Sequence, residues 1–240
     1  MLRAGAAVTV ALPRPDADAE ALLGSFAHEL RGPLNVCVMW LELLTLKAGD
    51  PQEVHKAVAV MRRNLAQQAS LIRELDDIGR MLGGGIELEL APVDLTALLA
   101  RAADGWRATG AEQGVELARR LPAGPMLVDA DSERLLQAFG YWFENALAAT
   151  TRNGGRIELT LDRVGDEAEI RFEDNGVGLT EADAAQFFTT PLEGARRQKT
   201  LGLRVVIGKH LLARHGGSVG VASAGVDAGC TWTARLPLKA

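Results

Sequence analysis

Apolar residues recur at helical spacing through the first third of the chain. Between residues 19 and 47 they occupy Leu23, Leu30, Leu34, Cys37, Leu41 and Leu44. After a break at "KAGDP", a second series follows alternating steps of three and four: Val54, Val58, Met61, Leu65, Ile72, Leu75 and Leu82, with Gln68 and Gly79 in the two other seam positions. Such a seam is typical of coiled-coil-like packing. The pattern predicts a helical hairpin over 19–82, buried either in a dimeric four-helix bundle or against its own chain.

The period of the pattern changes after "GGG" at 83–85, which we interpret as a linker. Alternating runs predict strands at 86–90, 115–121 and 125–129 and hairpins within 154–176 and 217–238. Amphipathic runs predict helices from Asp94, from Asp131 or Ser132, and up to about His215. Helices beside a mostly antiparallel sheet imply an α/β sandwich over 86–240, so the fold class is α+β.

Charge and composition exclude some functions. The 240 residues carry a net charge of −5, which leaves no basic stripe for nucleic acid as the main partner. Cys37 and Cys230 show no metal or redox spacing and are expected to be reduced thiols of a cytosolic protein. Residues 1–18 hold too short an apolar run to cross a membrane, and we expect a disordered leader there and no membrane segment in this chain.

Three short runs of the second domain combine into a candidate nucleotide site. "ENALAAT" places Asn145 in a helix, where its oxygen can hold Mg²⁺ while phosphates supply further ligands. "EDNGVGL" places Asp174 at a strand end, where a carboxylate can accept from an adenine amino group, and Gly176 and Gly178 allow close backbone approach. "TLGLRVV" places Gly202 just before a helix start, a position suited to polyphosphate.

With "FAHELRGPLN" at 26–35, these runs resemble the catalytic core of bacterial sensor histidine kinases over about residues 20–238. "FAHELRGPLN" resembles the H box of that family, "ENALAAT" its N box and "DNGVGL" its first glycine box. "FFTT" at 187–190 resembles the start of the ATP lid, "TLGLRVVIGKHLLARHGG" the second glycine box with its helix, and "GCTWTARLPL" the closing strand.

The resemblance implies a Bergerat-type ATP-binding domain after a dimerising hairpin, with ATP and Mg²⁺ as ligands. It implies that His28 accepts the γ-phosphoryl group, with Glu29 as base, and passes it to an aspartate of a response-regulator receiver domain. The residues that it implies for ATP are Asn145, Asp174, Gly176, Gly178, Gly202, Leu203 and Thr231, with Asn145 also on the metal. A cytoplasmic homodimer through 19–82 is the expected assembly.

Several positions depart from the family pattern. Gly32 stands where the family has Thr or Asn for dephosphorylating the regulator, which predicts weak phosphatase activity that Gly32→Thr restores. In the N box, Tyr141 and Ala148 replace an asparagine and a lysine. In the second glycine box, aligned through the helix that follows, Thr200 and Arg204 replace two of three glycines; a shift by two residues instead makes Gly202 the last glycine and gives the helix two extra residues. The "RRQK" run at 196–199 is either a phosphate clamp or a solvated loop.

Arg204 admits two interpretations: its bulk blocks phosphates, or its charge replaces lost backbone contacts. The alternative function is therefore a degenerate kinase that serves as a histidine phosphotransfer protein or regulatory dimer with little ATP use.

Overall fold

The structure of the protein is a computed structural model that describes residues 17–46, 50–82, 85–150, 154–187 and 199–239. The predicted leader up to residue 16, most of the linker and the "RRQ" run lie outside the described residues. The chain divides into two compact units, Met1–Gly85 and Ile86–Ala240. Among the described residues, no helix has the length and apolar character that crossing a membrane requires.

The first unit is a hairpin of two long helices, α1 (Ala17–Leu46) and α2 (Pro51–Leu82). Helix α2 begins with Pro51, whose fixed φ suits the first helical position, and the Asp50 carboxylate accepts from the backbone N–H of Gln52 at 2.9 Å. The two helices pack against each other, and their buried apolar residues include Pro33, Cys37, Ala57, Leu71 and Ile78. The predicted hairpin is confirmed.

Only part of the predicted heptad seam of α2 faces α1, to which its Gln68 donates a hydrogen bond. Val58, Leu65 and Ile72 are 44, 54 and 58% exposed, whereas Ala57 and Leu71 are buried against α1. A second exposed apolar stripe runs along α1 at one-turn spacing, through Leu34, Val38 and Leu41. Folding of the hairpin alone therefore leaves one apolar stripe on each helix in water, which favours a further helical partner.

The second unit is an α/β sandwich, as predicted. Its elements in chain order are β1 (Ala91–Asp94), α3 (Leu95–Glu112), β2 (Glu116–Arg120), β3 (Leu127–Ala130), α4 (Ser132–Thr150), β4 (Arg156–Val164), β5 (Glu167–Asp174), α5 (Glu181–Gln186), α6 (Lys199–Arg214), β6 (Ser218–Ala222) and β7 (Cys230–Pro237). Five strands form one sheet in the order β2-β4-β5-β7-β6, in which β2 and β4 are parallel and the other pairs are antiparallel. Strands β1 and β3 form a separate two-stranded ribbon.

The strand predicted at 86–90 is wrong. Strand β1 begins only at Ala91, where β3 supplies an antiparallel partner, and residues 86–90 pair with no strand of the described chain. Ile86 is buried, and the backbone N–H of Glu89 donates to the Asp131 carboxylate at 3.2 Å instead of to a sheet. An alternating pattern makes a strand only where a neighbouring edge is available for its hydrogen bonds.

Apolar side chains between the helices and one face of the sheet form the core. Phe139, Trp142 and Phe143 of α4 are fully buried above Phe172 of β5. The ring of Trp106 in α3 stacks on Phe143 with centroids 5.3 Å apart. Each such buried side chain contributes about 1.5–3 kcal/mol. The core fixes α4 over the sheet, and α4 carries part of the candidate site.

Candidate functional site

Asp174 occupies the last position of β5, where the strand leaves the core. Ile170 and Phe172 face the helices, and the alternation of a strand directs Asp174 to the same side. Its Oδ1 accepts from the backbone N–H of Gly176 at 2.9 Å and of Cys230 at 3.2 Å. Its Oδ2 is buried, and no described residue donates a hydrogen bond to it. A buried acceptor left open costs free energy, so a ligand donor is the expected complement.

Burial raises the pKa of the Asp174 carboxyl to about 6, although the two backbone N–H donors act in the opposite direction. The carboxylate form still predominates at neutral pH. Burial, and then the Asp174 charge, raise the pKa of the neighbouring Cys230 thiol to about 11. Cys230 is therefore a protonated thiol at neutral pH.

The loop after Asp174 is held by the loop between β6 and β7. The N–H of Leu179 donates to the Ser223 hydroxyl at 3.0 Å, and the N–H of Asp227 donates to the carbonyl of Val177 at 2.7 Å. The N–H of Gly229 donates to the carbonyl of Gly176 at 3.1 Å. The two loops thus form one hydrogen-bonded unit around Asp174. Ser223 and Cys230 are parts of it that the sequence motifs did not indicate.

The predicted glycines of this loop are closely packed by protein. Gly178 has φ +63°, and a Cβ added there would lie 2.0 Å from the carbonyl oxygen of Gly225. A Cβ on Gly176 would lie 2.7 Å from the backbone carbonyl of Ala149. Contacts within the protein therefore account for both glycines, and backbone access for a nucleotide at Gly176 and Gly178 stays a prediction.

Asn145 lies on the C-terminal half of α4, which packs beside the same loop. The carbonyl of Ala149, one turn further along, accepts from Val177 at 3.3 Å. The Nδ2 of Asn145, a buried residue, donates to the carbonyl of Tyr141 at 2.8 Å. This bond uses the nitrogen end of the amide and leaves its oxygen as the end for a ligand. The structure thus brings the N box and the Asp174 loop together.

The other residues predicted to contact the nucleotide do not lie in the hydrogen-bonded loops around Asp174. Cys230 pairs with Asp174 in the β5–β7 register, whereas Thr231 pairs with Glu173 and so faces the opposite side of the sheet. Gly202 and Leu203 lie within α6, which begins at Lys199, so Gly202 is inside the first turn and not before the helix start as predicted. Their contact with a nucleotide stays a prediction.

The candidate phosphoacceptor segment is continuous helix in α1, with Pro33 inside it. The His28 side chain lies outside what the structure describes, and Glu29 is half-buried. Pro33 has no N–H, so the carbonyl of Glu29 loses its usual donor one turn on. Gly32 is exposed, and a Cβ there would meet no atom within 4 Å, so a threonine fits at this position.

The residues present suit a Mg²⁺ ion that is bound partly by the protein and partly by the phosphates of a nucleotide. No group of three or more His, Cys, Asp or Glu side chains in the described ranges could hold an ion. Asn145 offers one amide oxygen, and Mg²⁺ in phosphate sites commonly takes one or two protein ligands together with substrate phosphates.

Two family models match the chain. Residues 19–84 match the His Kinase A (phospho-acceptor) domain, and residues 130–240 match the histidine kinase-, DNA gyrase B- and HSP90-like ATPase. The sensor protein DivL of Caulobacter vibrioides is 31% identical over 225 residues, which cover 92% of this chain and 29% of that protein. The chain spans 29% of the length of DivL and 59% of that of the sensor-like histidine kinase SenX3 of Mycolicibacterium smegmatis, which is 25% identical.

Solved structures agree with the family models. Full-length ShkA in complex with AMPPNP is similar with a TM-score of 0.65 and 26% identity, covering 91% of this chain and 46% of that one. Histidine kinase ThkA in complex with the response regulator TrrA shares the fold, with a TM-score of 0.64 and 19% identity over 93% of this chain and 62% of that one. Because the phospho-acceptor domain and the ATPase domain follow one another along the chain, the chain carries the catalytic core of the sensor histidine kinases.

Proposed function

We propose that the chain is a homodimeric kinase core that phosphorylates its own His28 from Mg-ATP and passes the phosphoryl group to an aspartate of a response regulator. The observation that carries the proposal is the buried Oδ2 of Asp174, an acceptor that the described residues leave open beside the N box. The similarity to ShkA, solved with AMPPNP, and to ThkA, solved with a response regulator, supports the two ligands.

In the proposed reaction a ring nitrogen of His28 forms a bond to the γ-phosphorus, and the bond from that phosphorus to the β–γ bridging oxygen breaks. ADP leaves with the electron pair of the broken bond. Glu29 accepts the proton of the other ring nitrogen, which makes the imidazole a better nucleophile. A receiver carboxylate then takes the phosphoryl group, and Glu29 returns the proton to the ring, so that His28 is neutral again.

The ATPase unit has the task of binding and orienting the nucleotide. Asp174 accepts from the exocyclic amino group of adenine, and the Asn145 amide oxygen is directed to the metal. Bound Mg²⁺ neutralises charge on the phosphates. Holding the nucleotide in one orientation accounts for much of the rate that such a domain provides.

The homodimer is proposed to form through the hairpin in the cytoplasm. The exposed stripes Leu34–Val38–Leu41 and Val58–Leu65–Ile72 support it, because a second hairpin with the same two stripes covers both in a four-helix bundle. The reduced cysteines and the need for ATP favour a cytoplasmic site.

The test is incubation with Mg²⁺ and γ-labelled ATP, with acid-labile label on the chain as the readout. We expect label on the wild type and on His55→Gln, which changes the exposed histidine of the same hairpin, and none on His28→Gln. Asp174→Ala should also abolish labelling. An unlabelled wild-type protein that is folded and dimeric contradicts autophosphorylation.

One observation favours the alternative of a phosphotransfer protein without ATP use, namely Arg204 in place of a glycine of the second glycine box. The two functions differ in the source of the phosphoryl group. A phosphorylated response regulator labels His28 under the alternative, whereas labelled ATP does not.

A further inference from the structure

Arg204 of α6 makes an ion pair with Glu144 of α4. The guanidinium carbon also lies over the ring of Tyr141, 5.7 Å from its centroid. The side chain of Arg204 is only 16% exposed, whereas that of Glu144 is 49% exposed. The cation is therefore held against the surface of α4, between an aromatic ring and a carboxylate that is half in water.

The turn of α4 that holds Arg204 is the turn that orients Asn145. Glu144 immediately precedes Asn145, and the carbonyl of Tyr141 accepts the Asn145 amide hydrogen at 2.8 Å. Helix α6 packs on α4 near Gly208, where an added Cβ would be at van der Waals distance, 3.4 Å, from the Trp142 indole nitrogen. This crossing brings the guanidinium to the helix turn that precedes the proposed metal ligand.

We infer that Arg204 binds the polyphosphate of the nucleotide, and that Glu144 holds the guanidinium in place until the phosphates replace the carboxylate. The inference rests on the proposed function, because it assumes a nucleotide at Asp174 and Asn145. It assigns a specific role to a residue that otherwise is only a departure from the glycine pattern of the second glycine box.

The exchange of partners is energetically reasonable. Release of Glu144 costs little because its carboxylate is already half in water, and the largely buried Arg204 guanidinium keeps an anionic partner when phosphates replace it. A guanidinium matches phosphate oxygens with two parallel hydrogen bonds, and a polyphosphate carries several negative charges. The Tyr141 ring contributes a cation–π contact that is independent of Glu144 and keeps the guanidinium on the same helix turn during the exchange.

The opposite interpretation, in which Arg204 blocks the phosphates by its bulk, predicts an effect of opposite sign. If the side chain obstructs the site, a smaller residue improves nucleotide binding. If the side chain binds phosphate, a neutral residue weakens the binding of nucleotides with phosphates and leaves adenosine unaffected. Affinities for a ligand pair that differs only in the phosphates therefore distinguish the two.

The experiment measures the binding of AMPPNP with Mg²⁺, and of adenosine, to the full chain by calorimetry. The variants are Arg204→Met, which keeps the apolar stem, Arg204→Lys, Glu144→Gln, and the control Arg214→Ala at an exposed position of the same helix. We expect Arg204→Met to weaken the binding of AMPPNP about tenfold to a hundredfold and to make that binding less dependent on salt. The affinity for adenosine should stay within about twofold of that of the wild type. The affinity of Arg204→Lys for AMPPNP should lie between those of Arg204→Met and the wild type. Glu144→Gln should bind AMPPNP as tightly as the wild type or more tightly. Arg214→Ala should bind it with the affinity of the wild type.

Each other result has a definite meaning. Unchanged or tighter AMPPNP binding by Arg204→Met overturns the inference and leaves the proposed function standing. A loss in Glu144→Gln as large as in Arg204→Met overturns the exchange of partners, because the pair then acts as one structural unit. A folded wild type that binds neither ligand overturns both the inference and the ATP-dependent function. Adenosine binding by each variant serves as its test of folding.

Discussion

Gln68 of α2 donates a hydrogen bond from its side-chain Nε2 to the backbone carbonyl of Leu30 in α1, at 3.1 Å. Leu30 is two residues after His28 and three residues before Pro33, so the bond reaches the segment in which the proline interrupts the helical hydrogen bonds. Gln68 is also a polar residue in the otherwise apolar heptad pattern. We interpret it as the residue that ties the H-box segment to the second helix.

The first prediction concerns this bond. Gln68→Ala should lower the free energy of unfolding by about 1 kcal/mol, the usual contribution of one intramolecular hydrogen bond. The matched control is Gln67→Ala, because Gln67 is the neighbouring glutamine and is exposed, and we expect a change within about 0.5 kcal/mol there. Urea unfolding followed by circular dichroism measures both. Equal effects of the two substitutions would show that the bond contributes nothing.

The second prediction concerns pH. Because the pKa of Asp174 is raised to about 6, the carboxylate that we propose as the acceptor for adenine is lost as the pH falls below that value. Adenosine, whose binding involves no phosphate titration, should bind about tenfold more weakly at pH 5 than at pH 7. Asp174→Asn should bind weakly at both values, with no such dependence.

The same carboxyl group should affect stability in the opposite direction. Its folded-state pKa is above its ordinary value of 3.8, so the folded protein binds the proton more strongly than the unfolded chain. The contribution of Asp174 to the free energy of unfolding therefore rises as the pH falls from about 6 towards 4, while adenosine affinity falls. General acid unfolding would instead lower both quantities together, and comparison with Asp174→Asn separates the two effects.

The third prediction tests the packing of the loop after Asp174. Gly178 and Gly165 have nearly equal φ angles, +63° and +64°, but a Cβ on Gly165 would meet nothing within 4 Å. Gly165→Ala should therefore cost about 1 kcal/mol for the backbone conformation alone. Gly178→Ala should cost about 2–4 kcal/mol, because its Cβ would collide with the Gly225 carbonyl. Thermal unfolding provides the comparison, and similar losses for the two variants would contradict the described contact.

The fourth prediction tests the dimer. Ile72→Glu places a charge in the exposed apolar stripe of α2, and we expect light scattering to show a monomer at concentrations where the wild type is a dimer. Gln67→Glu adds the same charge to the same helix outside that stripe and should stay dimeric. A dimer that survives Ile72→Glu would mean that another surface holds the two chains together.

The hairpin, the sandwich and the packing of the N-box helix beside the loop after Asp174 could be predicted because they depend on local pattern and short motifs. The loop around Asp174 could not, because Ser223 contacts Leu179 across 44 residues and nothing in the spacing indicates that contact. The prediction of a strand at 86–90 was wrong because an alternating pattern does not show whether a neighbouring strand is available for hydrogen bonding. The position of Gly202 depended on where α6 begins, and helix starts are hard to read without a cap.

The Oδ1 of Asp174 accepts two backbone hydrogen bonds, so Oδ2 is the oxygen that can contact a base. A purine with an amino group at that point satisfies it. Guanine presents a carbonyl oxygen there instead, and two acceptors facing each other in a buried site repel. Under the proposed function, the pair of backbone hydrogen bonds that holds the carboxylate should therefore also give the site a selectivity for adenine over guanine nucleotides.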